Sequence, residues 1–197
     1  MSPNNNKRSR KRRFSRRIVL PVVAFVAVAL AVAWFFDEQA TSTVFIVRHA
    51  EKAAAPDDDP PLSPAGKLRA QALADMLSDV DVVAGLDAIY VSEARRTRDT
   101  AKPLANRLGL RLIEHPAADV KGLVRRIRAD HKGEIVLVVG HSDTVPALIR
   151  EFGGSKKVPP IDEHEYTNLY ILSMPWSGKT KTLRLKYVNT YLDTGED

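Results

Sequence analysis

From residue 43 onward the chain alternates short β-branched, apolar runs with amphipathic stretches of about ten to fifteen residues, and few folds accept that order. Residues 43–47, 88–91, 110–113 and 135–139 read as strands, the last being the most apolar. Ser63-Pro64 opens a helix that runs to Ser78, with Leu68, Ala72, Leu73, Met76 and Leu77 on one face. Further helices are expected at 94–108, stopped by Gly109, at 120–131, and at 144–152, ended by Gly153-Gly154. Two late strands, 168–173 and 182–188, with a turn at 176–178, close the chain. The alternation predicts an α/β fold: a mainly parallel sheet with helices on both faces, to which the closing hairpin adds an antiparallel edge.

Charge is distributed unevenly. The formal net charge is +6, but residues 1–17 hold eight Lys and Arg and no acid, while the remaining 180 residues carry 22 basic and 24 acidic side chains. The basicity belongs to the tail, so the body is not a polyanion-binding surface and no nucleic-acid partner is expected. The chain has no cysteine, which excludes disulfides, thiolate nucleophiles and Cys-ligated zinc.

Behind the basic tail, residues 18–36 contain no charge, and Asp37 and Glu38 follow. A helix of that length spans roughly 28 Å, close to the hydrocarbon thickness of a bilayer. The segment is therefore expected to cross a membrane once, and the Lys/Arg cluster keeps the tail cytoplasmic. This divides the chain into a basic cytoplasmic tail (1–17), a transmembrane signal anchor (18–36), a linker (37–42) and a periplasmic or extracellular domain (43–197). Ala31-Val32-Ala33 also fits a signal-peptidase site, so cleavage and secretion is the alternative. The bulky Trp34-Phe35-Phe36 after that site favours an uncleaved anchor.

In sheets of this type ligands bind beyond the carboxyl ends of the strands. Three places answer to that rule: Arg48-His49, residues 92–96 and His141. Arg48, His49, Arg96 and His141 around one cavity would join two guanidiniums to two imidazoles, a set suited to a doubly charged anion. A neutral imidazole can attack phosphorus and form a phosphohistidine, while guanidiniums hold the phosphoryl oxygens. Such a set repels divalent cations and lacks the carboxylates zinc would need, so neither a metal nor a cofactor is expected. Arg95 and Arg98 read as helix-surface residues and Arg125, Arg126 and Arg128 as a solvated face. His115, His131 and His164 have no motif around them and read as incidental.

Four ordered motifs resemble the histidine phosphatase superfamily, the phosphoglycerate mutase-like family, across residues 43–190. They are Arg48-His49-Ala50-Glu51-Lys52 at a strand end, Leu62-Ser63-Pro64-Ala65-Gly66 with Ala70 at a helix start, Ser92, Arg96 and Thr100 at four-residue spacing, and Gly140-His141-Ser142 after a Val-rich strand. The resemblance implies His49 as nucleophile, Arg48 and Arg96 as phosphate clamps and His141 as the second histidine, with Glu51, Lys52 and Ser142 as substrate-binding candidates. Ser142 fits a helix cap equally well. The chain departs from larger members by lacking their Leu-x-Glu segment and its acid, since only 44 residues separate Arg96 from His141. Asp119, Glu114, Glu51 and Asp143 are left as candidate general acids, with Asp119 favoured. The resemblance thus implies a compact, metal-independent phosphatase acting on a small phosphorylated substrate or a phosphoprotein; a membrane-tethered module that only binds a phosphorylated ligand is the alternative.

Overall fold

The computed structural model describes residues 6–37, 41–78 and 85–187. The chain forms two compact units, divided after Ala40. The first contains helix α1 (Asn6–Asp37), which carries Pro21 and exposes Leu20, Phe25, Leu30 and Trp34. The membrane span expected at 18–36 lies within this helix. The side chains of Ile18 and Phe36 fall outside the described residues, and among the described residues no helix is long and apolar enough to cross a membrane.

The second unit contains β1 (Ser42–Arg48), α2 (Pro64–Ser78), β2 (Ala88–Val91), α3 (Arg95–Leu108), β3 (Leu112–Glu114), α4 (Val120–Asp130), β4 (Ile135–Gly140), α5 (Thr144–Glu151), β5 (Asn168–Met174) and β6 (Lys181–Lys186). They build one six-stranded sheet in the order β3-β2-β4-β1-β5-β6. β1 to β4 run parallel, while β5 pairs antiparallel with β1 and β6 antiparallel with β5. This is the mainly parallel sheet with an antiparallel closing hairpin that the alternation predicts.

Connection direction decides which face each helix covers. From β1 to β2 to β3 the chain moves outward along the sheet, then returns from β3 to β4, and right-handed crossovers place helices of opposite travel on opposite faces. The two cores agree. Phe45, Val47, Ile89 and Leu137 pack with Leu73, Ala74, Leu77, Ala101 and Leu104 of α2 and α3. On the other face, Val44, Ile46, Val136 and Val138 pack with Val124, Ile127, Val145 and Ile149 of α4 and α5. Alternate residues of each strand point to opposite faces, so a strand buried on both sides is apolar throughout, as β1 and β4 are.

Two strand boundaries differ from expectation by two residues, and the others by one at most. β3 begins at Leu112 rather than 110, because Gly109 takes a left-handed conformation (φ 68°) after α3 and the Leu110 N–H is used to cap that helix on the Ala105 carbonyl. β6 ends at Lys186, and Val188, expected within it, lies outside the described residues.

Candidate active site

The site is assembled by strand register. β1 and β4 are neighbours with Arg48 opposite Gly140, so the residues that follow, His49 and His141, leave the sheet side by side with ring centroids 5.3 Å apart. Val91 of β2 lies opposite Val139 of β4, which brings Ser92 to His141. The reversal of connection direction falls at these same strands, where an open α/β sheet leaves a crevice at its carboxyl edge. A pocket of about 910 Å³ lies there, lined by Arg48, His49, Arg96, His141 and Tyr166 among others.

His49 is buried, at 5% exposure, and its Nδ1 lies 2.8 Å from the Ala50 carbonyl oxygen. A carbonyl only accepts, so Nδ1 carries the proton, and Nε2 is left as a bare lone pair with no hydrogen bond among the described residues. The His49 pKa is lowered to about 3, first by burial and then by the neighbouring His141, Arg96 and Arg48, against the opposing pull of the Ala50 carbonyl. The imidazole is therefore neutral at any physiological pH.

Backbone ties hold it there. The His49 N–H donates to Gly140 O at 2.9 Å, and the Ala50 N–H to Thr100 Oγ1 at 2.9 Å. Thr100, fully buried, donates in turn to the carbonyl of Arg96 at 2.7 Å, so the third motif residue couples the helix bearing Arg96 to the loop bearing His49. Gly66 has a similar reason to be glycine: a Cβ there would collide with the Glu51 carbonyl oxygen, across which α2 approaches the loop.

His141 is engaged on both ring nitrogens. Arg96 Nη2 donates to Nδ1 at 3.2 Å, which leaves Nε2 protonated and donating to Ser92 Oγ at 2.9 Å. Its pKa is lowered, mainly by burial and then by Arg96. Arg48 is 8% exposed and tied by Nη1 to three carbonyls of the segment before β5, those of Asp162 (2.6 Å), Glu163 (3.0 Å) and Glu165 (3.4 Å). The Tyr166 ring lies 4.3 Å from its guanidinium carbon. Arg48 Nε is buried without a partner among the described residues.

Of the residues expected at the site, Arg48, His49, Lys52, Arg96, His141, Ser142 and the candidate acid Asp143 line this pocket. Glu51 does not. It forms a largely buried ion pair with Arg69, with Nε at 2.7 and 2.9 Å from its two oxygens and Nη2 at 2.6 Å, and so braces α2 against the loop. Asp119 is absent as well. Its carboxylate accepts from the Gly122 N–H at 2.9 Å as the N-cap of α4, lies 3.4 Å from His115 and borders a different, shallow depression, because its position just before the helix spends it on the unpaired amides. Glu114 pairs with Arg98 at 3.4 Å instead of lining the pocket. Arg95 is exposed, 3.5 Å from Asp99, which confirms Arg96 as the inward arginine of that pair.

Several lining residues escape sequence reasoning. His164, which reads as incidental, lines the pocket with Glu163 and Tyr166 from the segment before β5, as do Asp57 and Asp58 from the loop before α2. Glu93 lines it too, accepting from the Ala117 N–H at 2.9 Å; backbone bonds hold its carboxyl below the usual carboxylate range. Its place beside Ser92 at a strand end was the available signal. Loop residues 57–58 and 163–166 carry no periodicity that could have announced them.

Part of the chain matches a known family by sequence, and solved structures match its fold. Residues 44–119 match the family model described as the histidine phosphatase superfamily, branch 1. By sequence, that segment belongs to branch 1 of the histidine phosphatases. It ends before His141, which the fold brings to the same pocket. Among solved structures, the protein histidine phosphatase SixA complexed with tungstate superposes with a TM-score of 0.62 at 21% identity, covering 77% of this chain and 99% of that one. A putative phosphohistidine phosphatase SixA from Nakamurella multipartitia gives 0.55 at 23% identity over 75% and 97%. A mycobacterial glucosyl-3-phosphoglycerate phosphatase gives 0.55 at 17% over 75% and 98%. These likenesses establish a shared histidine phosphatase fold, to which α1 adds an N-terminal helix. No curated protein matches the sequence.

Proposed function

We propose that the chain is a phosphatase that passes a phosphoryl group through His49 to water. The observation that carries this is the tautomer of His49: Nδ1–H is spent on Ala50, and the unprotonated Nε2 belongs to a neutral ring in a pocket lined by two guanidiniums. The Nε2 lone pair attacks phosphorus, the bond from phosphorus to the leaving oxygen breaks, and a proton from solvent passes to that oxygen. Water then cleaves the P–N bond and restores the imidazole, with Glu93, kept ionised at the pocket, placed to accept a proton from that water. A phosphoryl dianion pairs with the Arg48 guanidinium and draws Arg96 off His141 Nδ1, so that His141 can gain a proton there and donate to a phosphoryl oxygen. Ser92 holds the ring from its other side.

The substrate class this supports is a phosphomonoester or related phosphoryl compound on a small molecule or a protein. The likeness to a glucosyl-3-phosphoglycerate phosphatase and to phosphohistidine phosphatases supports both carriers. Rapid-quench trapping tests the mechanism: the wild-type chain should carry a phosphoryl label that is acid-labile and alkali-stable, and His49→Ala should carry none. A label that persists in His49→Ala and maps to His141 would reverse the two histidines.

We also propose that residues 18–36 anchor the protein in a membrane with the catalytic unit on the non-cytoplasmic side. The charge-free run behind eight basic residues supports this, as does the row of exposed apolar side chains on α1. A topology reporter fused after Asp197 should be active only outside the cytoplasm, and a cytoplasmic signal removes the proposal.

A further inference from the structure

The phosphoryl pocket is ringed by the wrong charge for a small dianion. Its floor carries Arg48 and Arg96, and Lys52 stands nearby, yet five carboxylates line the same space: Asp57, Asp58, Glu93, Asp143 and Glu163. Two of the five have local duties. Glu93 accepts from Ala117, and Asp143 caps α5 on the Thr144 N–H at 2.8 Å. The carboxylates of Asp57, Asp58 and Glu163 are exposed and have no hydrogen bond or ion pair among the described residues, which leaves them open to a cation carried by a ligand.

Glu163 is also held in place by the phosphoryl clamp itself. Its carbonyl accepts from Arg48 Nη1 at 3.0 Å, so an acidic residue of the pocket lining is anchored by one of the pocket's cations. The buried, partly unpartnered Arg48 asks for an anion, and the surplus of carboxylates around it disfavours one that arrives alone. A ligand with both charges answers both demands. The pocket, at about 910 Å³, also extends well beyond a phosphoryl group.

We propose that the pocket selects phosphoryl groups borne on positively charged carriers, with Arg48, Arg96 and the two imidazoles taking the phosphoryl group and Asp57, Asp58 and Glu163 taking the carrier's cation. This rests on the phosphatase reading and narrows it. Anionic carriers, such as acidic phosphopeptides, are turned away by the same three carboxylates. Basic phosphopeptides and aminoalkyl phosphates present the chemistry that the pocket accepts.

The test uses the purified full chain in detergent. kcat/KM is measured for one phosphopeptide flanked by Lys and Arg and again flanked by Glu, and for aminoethyl phosphate against ethyl phosphate. At low salt the basic peptide should be favoured by about tenfold or more, and the advantage should shrink as ionic strength rises. In Asp57→Asn/Asp58→Asn the preference should fall to within about threefold, with kcat/KM on the acidic peptide rising as repulsion is removed. A preference in both pairs assigns the rim to any amine close to phosphorus; a preference in the peptide pair alone assigns it to an extended basic chain. Equal or reversed preference in an active enzyme overturns the proposal and leaves the phosphatase reading standing. Absence of turnover on every substrate, with no trapped label, removes both.

Discussion

Burial of a neutral His49 should make the protein acid-sensitive by an amount that can be worked out. The folded protein holds this imidazole's pKa at about 3, well below the ordinary 6.5. As pH falls below that ordinary value the unfolded chain binds a proton that the folded one refuses, so the stabilisation is complete above it and is lost progressively toward the folded pKa. Each pH unit in that window is worth about 1.4 kcal/mol, giving a ceiling of about 5 kcal/mol and, at about pH 5, a loss of about 2 kcal/mol from this residue. The perturbation is His49→Gln, which keeps a polar side chain without a titrating ring. Urea unfolding of both chains, followed by circular dichroism between about pH 8 and about pH 5, should show the wild type losing about 2 kcal/mol more than the variant. His141, whose pKa is also lowered, adds a further acid loss to both proteins. Parallel pH profiles would refute the reasoning, since they would mean that His49 charges as readily folded as unfolded.

Two further substitutions separate residues that chemistry needs from those the fold needs. Arg96→Ala should lower kcat/KM on a generic aryl phosphate by about a hundredfold, or about 3 kcal/mol, whereas Arg95→Ala should change it little. Asp119→Ala should destabilise the protein by about 1 kcal/mol, because the Gly122 N–H loses its acceptor, while kcat stays within about twofold. A large loss of kcat in that variant would return Asp119 to the mechanism.

What was legible in the sequence follows the physics of regular structure. Strand ends can be read from apolar runs, and the register of adjacent parallel strands then carries residues far apart in the chain to one place, so Arg48, His49, Arg96 and His141 were all accessible before any coordinates. Motif proximity alone was a weaker guide. Glu51 stands two residues from the nucleophile yet turns to Arg69, since a buried guanidinium needs a carboxylate partner more than the pocket does. Asp119 lies away from the pocket because a carboxylate just before a helix is taken by the free amides of the first turn. Tyr166, Glu163 and His164 were out of reach, because their place depends on how an irregular segment returns to Arg48 across more than a hundred residues of sequence.

That return has a consequence for when the protein becomes active during synthesis. β1 occupies the middle of the sheet, yet both strands that flank it, β4 and β5, emerge from the ribosome long after it. Arg48 waits longer still for its carbonyl partners at Asp162, Glu163 and Glu165. Long-range pairings of this kind form late, because the chain between them must first be ordered. On the proposed mechanism, a growing chain that has displayed His49 but not yet the segment before β5 has a nucleophile without its clamp, and phosphoryl transfer is withheld until that segment has been made.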